Sequence, residues 1–220
     1  VYVGNISAGS WGPPNELAYL ERFGLFDADC LVLVVSSHDY ADAPTFEPIV
    51  GVHPSYPDHA PLLAIQELLE RYIIPRMTHS HDAPEPGTVA AKTPGKKDVE
   101  WCLESTRQII RMGQERGIPV IVAQHMEKGE LNPSNPEHIG HILLGKAIRD
   151  EQIDPVQTGP AFKRAVDAGL NPYRDYIHPN PEGQKLIADT LYPYIYQDLK
   201  NRIDNLPARA TTVATTQPAK

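Results

Sequence analysis

The chain has 220 residues, with 22 prolines, two cysteines and a formal net charge of -8 at pH 7. Its Lys and Arg residues are scattered through an acidic sequence, which argues against a nucleic-acid surface and favours a small or neutral substrate. No run of about 18 apolar residues occurs, so no transmembrane segment is expected. Cys30 and Cys102 are expected to be two buried thiols, not a disulfide framework.

In chain order, residues 1–5 (VYVGN) read as a β-strand in progress, and 30–36 (CLVLVVS) as a buried parallel strand. Residues 61–74 predict a helix with Leu62, Ile65, Leu69 and Tyr72 on one face, stopping at Pro75. Residues 98–116 predict a second helix, capped by Asp98 and ended by Gly117. A central strand follows at 118–124 (IPVIVAQ). Asn135-Pro136 signals a helix running to about Asp150, and 153–157 is a weaker strand candidate. Asn180-Pro181 opens the last helix, running to about Ile203 with a kink expected at Pro193.

Strands alternating with helices predict one α/β domain over 1–205, with helices on both faces of a parallel sheet. The proline-rich stretches 42–61 and 79–97 belong to one long connection, and 206–220 reads as a disordered tail or linker. His79-Ser80-His81-Asp82 lacks further ligands at metal-site spacing, so no metal and no cofactor are expected.

In open α/β sheets the ligand lies beyond the carboxyl ends of the strands. The residues there are Asn5 to Gly12, then Ser36-Ser37-His38-Asp39, then His125, and finally Asp175 and His178. An acid three residues before a histidine suits the base half of a hydrolytic triad, because the carboxylate fixes the ring tautomer and stabilises the imidazolium. A helix beginning at Asn180 directs its positive end towards His178, and Asp175 counters that effect. Ser7, Ser10 and Ser37 lie at predicted strand ends, but none sits on a recognisable nucleophile elbow. Asp39 caps the following turn, braces the His38 loop or acts on substrate as a catalytic or binding residue, His125 lines the acyl or leaving-group pocket or is structural, and Trp11 stacks on a sugar or packs on its loop.

These residues resemble those of the SGNH (GDSL-type) hydrolases. Asp175-Tyr176-Ile177-His178-Pro179-Asn180 resembles the family's last block, Asn5 to Gly12 its second, and the strand 30–36 with Ser37-His38-Asp39 its third, normally Gly-x-Asn-Asp. The resemblance implies a three-layer α/β/α sandwich with a mostly parallel, flavodoxin-like sheet of order 2-1-3-4-5. It implies Asp175 and His178 as catalytic residues. Gly9 would donate a backbone N–H to the oxyanion, with Gly12 its competitor, and His38 would stand in place of the asparagine. No Gly-Asp-Ser occurs, so the nucleophile and first strand are expected upstream of this chain. The resemblance then implies a serine esterase acting on a small ester, such as an O-acetyl group on a carbohydrate. The alternative is a non-catalytic ligand-binding domain of the same fold. If the first strand is missing, residues 1–5 and 30–36 should not pair directly and the sheet should keep a gap. Oligomeric state and compartment are left open.

Overall fold

The computed structural model describes residues 2–9, 11–44, 50, 58–73, 95–132, 134–135 and 138–204. Three strands form one open parallel sheet in the order β1-β2-β3: β1 (Leu31–Ser36), β2 (Val120–His125) and β3 (Val156–Gln157). Leu31 lies opposite Val120 and Ser36 opposite His125, so β1 and β2 end level with each other. The helices are α1 (Pro13–Phe23), α2 (Ala64–Glu67), α3 (Lys96–Glu115), α4 (Ile139–Asp150), α5 (Gly159–Asp167) and α6 (Pro181–Asp204). The fold class is therefore α/β, as the alternation predicts.

The period-two alternation of the strands divides the core. Leu33, Val35 and Val122 point to one face, where they pack with Leu17 and Leu20 of α1, Ile109 and Ile110 of α3, and Leu144 and Ile148 of α4. Ile121, Ala123 and Val156 form a smaller cluster on the other face with Leu191 of α6, flanked by Ile187 and Ile195. Gly140, in the first turn of α4, lies so close to the Ser37 carbonyl that a Cβ there would overlap it. This close approach seats α4 on the turn that follows β1.

Several sequence expectations are corrected. Residues 2–8 form no strand, and Tyr2 and Val3 are exposed. Helix α3 begins at Lys96 with Gly95 as its cap, so Asp98 is not the cap; its carboxylate reaches back to the Gly95 N–H at 3.0 Å. Helix α4 begins at Ile139, because the His138 ring accepts the Gly140 N–H at 3.1 Å and takes the capping role assigned to Asn135. Helix α2 covers only Ala64–Glu67 before a π-helical turn at Leu68–Ile73, and Leu62, Ile65 and Leu69 of its expected apolar face are exposed. Helix α6 holds Pro193 within its Pro181–Asp204 span. Cys102 is buried as expected, and Cys30 is half-buried. Helices α1 and α5 were not expected. Most of 42–61 and 79–97, with the tail from 206, falls outside the described residues, as do Ser10 and the His79–Asp82 stretch.

Among the described residues, edge β1 pairs only with β2. Leu31 donates to the Pro119 carbonyl at 2.9 Å, so Leu31, Leu33 and Val35 turn their peptide groups towards β2. By the same alternation, the N–H and C=O groups of Val32 and Val34 face away from the sheet. Val32 and Val34 are 37% and 45% exposed.

Candidate active site

Asp175 and His178 lie in a tight loop between Tyr173 and Pro179, which form an antiparallel bridge. The Arg174 N–H donates to the His178 carbonyl at 2.8 Å, and the Asn180 N–H to Pro172 at 3.0 Å. The loop is anchored beyond the end of β2. Tyr173 Oη donates to the Met126 carbonyl at 2.7 Å, and the Lys128 N–H to the Tyr176 carbonyl at 3.0 Å. Asn180 caps α6 through Gly183 N–H at 2.9 Å, and its amide donates back to Asn171 at 2.6 Å. The dyad thus stands at the carboxyl end of the sheet, in the loop just before the last helix.

Within it, Asp175 Oδ2 lies 2.8 Å from His178 Nδ1, while Oδ1 accepts the backbone N–H groups of His178 at 2.7 Å and Ile177 at 3.0 Å. Desolvation pushes the Asp175 carboxyl upward, but these N–H bonds and the His178 ring together outweigh it and hold it well below the usual carboxylate range. An ionised Asp175 accepts a hydrogen bond from the Nδ1–H of His178, which leaves Nε2 as the basic lone pair. The His178 side chain is 56% exposed, and its Nε2 has no partner among the described residues.

Beside β1, the turn Ser37–Tyr40 presents His38. Glu127, just past β2, accepts the His38 backbone N–H at 2.9 Å and lies 3.2 Å from its Nδ1. Asp39 Oδ1 is 3.5 Å from His38 Nε2, while Asp39 Oδ2 accepts the Ser36 N–H at 2.7 Å. Asp39 thus caps its own turn, one of the roles expected of it. Burial pushes its carboxyl up, and burial with the Asp39 charge pushes Glu16, on α1, up to about 7. One ligand atom from each of His38, Asp39 and Asp42 falls within a 4.8 Å cluster, but the first two already serve Glu127 and Ser36, so the cluster carries no metal assignment.

The remaining predicted residues divide. Gly9 sits in an exposed turn with an open surround, and its N–H makes no hydrogen bond among the described residues. The competing Gly12 N–H is held by Asn15 Oδ1 at 3.2 Å. Trp11 packs on Tyr19 at 5.6 Å within an aromatic group that continues to Phe23 and Phe26. No described contact brings Gly9 or Trp11 to the dyad.

His125 is only 3% exposed and packs edge-on against Phe162 at 4.7 Å, beneath the dyad loop. Its Nδ1 lies 3.2 Å from Thr158 Oγ1. Burial pulls its pKa down, partly opposed by the Ile177 carbonyl. Its Nε2 is buried and makes no hydrogen bond of standard geometry among the described residues. His125 therefore supports the loop from below.

Ser37 is fully buried and donates to Glu130 at 2.7 and 2.8 Å, and Ser7 Oγ donates to Asn5 Oδ1 at 2.7 Å. Neither meets His178. Glu127 and Glu130 were missed by the sequence reading, which stopped at His125; an acid two residues past a strand end was the available signal. No family model, curated protein or solved structure matches the chain.

Proposed function

We propose that this chain carries the acid–base half of a serine ester hydrolase of SGNH type, with the nucleophile supplied by a segment outside these 220 residues. His178 Nε2 takes the serine proton as the hydroxyl attacks the ester carbonyl and returns it to the leaving alcohol. Asp175 holds the ring and offsets the imidazolium charge. Water then repeats the cycle on the acyl enzyme. The observation that carries the reading is the Asp175–His178 pair itself: Nδ1 bound at 2.8 Å, and Nε2 without a described partner at the carboxyl end of a parallel sheet.

The edge of β1 supports an external nucleophile. Helices α1, α3 and α4 share one face of the sheet. With right-handed crossovers, a helix on that face reaches β1 from a strand beyond its free edge. The strand-like residues 1–5 precede α1, yet 2–5 pair with nothing described. One parallel strand between them and β1 gives both a partner. The helix leaving that strand in the opposite sense packs on the α6 face, over Val32 and Val34.

Tyr192 and Tyr196 border that place. Thr190 and Tyr194 of α6 face a cleft shared with β3 and α5, so the stacked Tyr192–Tyr196 pair lies on the flank towards β1. The carboxyl end of the added strand falls beside Ser36, at the end of the sheet where the dyad stands. The full three-layer sandwich, with its 2-1-3-4-5 order, belongs to this proposal.

Small esters, including acetylated carbohydrates, are the substrate class proposed with it, by family resemblance. One observation favours the alternative, a binding domain without turnover: Asp39 and Glu127 crowd negative charge around His38, where an oxyanion would form. The deciding test is p-nitrophenyl acetate hydrolysis by the polypeptide extended upstream of Val1. His178→Ala is expected to lower kcat by about 10³-fold or more. Equal turnover by the variant removes the dyad from the mechanism.

A further inference from the structure

We infer that Glu127 is a positioning residue that keeps the His38 ring doubly protonated and fixed in direction, so that the donor this chain offers an oxyanion is a cation. The oxyanion half of this inference rests on the esterase proposal; the protonation half does not. Glu127 Oε1 takes two His38 groups at once, the backbone N–H at 2.9 Å and the ring at Nδ1, 3.2 Å away. The carboxylate is buried and cannot swing freely. Its own backbone N–H is held by Glu130 Oε2 at 2.7 Å, and Glu130 in turn accepts from Ser37. A proton on Nδ1 is thereby specified.

A neutral imidazole has only one N–H. With that proton given to Glu127, Nε2 is a bare lone pair and donates nothing. The other neutral tautomer lets Nδ1 accept from Ser36 Oγ, 3.2 Å away, but turns a lone pair on the Glu127 carboxylate. Only the doubly protonated ring satisfies Glu127 and keeps a donor at Nε2. Asp39 Oδ1, at 3.5 Å, is too distant to hold that donor strongly.

The surrounding charges agree. Glu127 faces the ring from the end of β2, Asp39 and Asp42 from its own turn, and Glu16 on α1 acts through Asp39; His138 before α4 acts on Glu127, and His125 opposes His38. Burial disfavours the His38 proton, but the Glu127 bond and the Asp39, Glu127 and Asp42 charges outweigh it and push the pKa up. The Glu127 carboxyl is raised by burial but pulled down further, first by the His38 ring.

The test is a pH titration of the ¹⁵N-histidine-labelled 220-residue chain, read by long-range ¹H–¹⁵N spectra. His38 is expected to carry protons on both nitrogens to a higher pH than free histidine, about 6.5. Glu127→Gln should lower its midpoint by about one unit, a tenfold loss of proton affinity, while Glu127→Asp keeps it raised. A wild-type His38 titrating at or below the free value, or an unmoved midpoint in Glu127→Gln, overturns the inference. In the upstream-extended protein, Glu127→Gln should lower kcat with KM unchanged and move the alkaline fall of kcat to lower pH. Unchanged kcat and alkaline limb overturn the oxyanion half. A raised His38 midpoint in a protein without turnover sinks the esterase reading and leaves the protonation half standing.

Discussion

Glu16 shows how the packing of one residue reaches into pH dependence. It lies in the first turn of α1, half-buried, and burial with the Asp39 charge pushes its carboxyl up from 4.5 to about 7. Between those values the unfolded chain loses the Glu16 proton while the native chain keeps it. The native state then binds more protons, so stability falls as pH rises, until Glu16 also ionises in the native state near 7. Glu16→Gln should therefore leave thermal stability nearly unchanged at pH 4 and raise it at pH 8, by about 2 kcal/mol. Melting curves at the two pH values check the sign. Asp175 works the other way. Its lowered carboxyl contributes stability above the ordinary carboxylate pKa, and that contribution is lost as pH falls below it.

The two kinds of residue differed in how visible they were. Asp175 and His178 were legible because the whole interaction is local, an acid three positions before its histidine, with Asn180-Pro181 announcing the helix behind them. Glu127 and His38 are 89 positions apart and meet only because β1 and β2 end level. Pairing of that kind is set by register, which sequence patterning in one segment does not reveal.

At the scale of elements, capping explains most of the agreement and most of the shifts. Asn180 was placed correctly, and its side chain both caps α6 at Gly183 and ties α6 to Asn171. Asn180→Ala should cost about 1 kcal/mol in urea unfolding, and Asn180→Asp, which keeps the cap acceptor, clearly less. Equal losses would show that the Asn171 bond, not the cap, carries the effect. Asp98 was misplaced because an acid at the third helical position resembles a cap in sequence; the Gly95 cap has no side chain to announce it. Helix α1 was hidden by Gly12-Pro13-Pro14, which reads as a loop although prolines suit the first helical turn. The segment 1–5 shows the opposite error. Its β-branched pattern predicts a strand, but a strand needs a neighbour, and none is described beside it.

At the scale of the molecule, alternation of strands and helices was enough to give the α/β class and helices on both faces. It was not enough to fix how many strands the sheet holds, because an edge is defined by what does not pair with it. Among the described residues, the unpaired edge of β1, the exposed Val32 and Val34, and the Tyr192–Tyr196 pair lie on one side of the sheet. Together they are the observations on which the proposal of one more strand and helix rests.

The central claim is that the nucleophile acting with His178 comes from outside these 220 residues. Its most direct test is covalent labelling of the upstream-extended polypeptide with p-nitrophenyl diethyl phosphate, followed by peptide mapping in a mass spectrometer. The account predicts one phosphorylated serine upstream of Val1, with labelling abolished in His178→Ala and absent from the 220-residue chain alone. A label on Ser7, Ser10 or Ser37, or labelling that persists without His178, contradicts it.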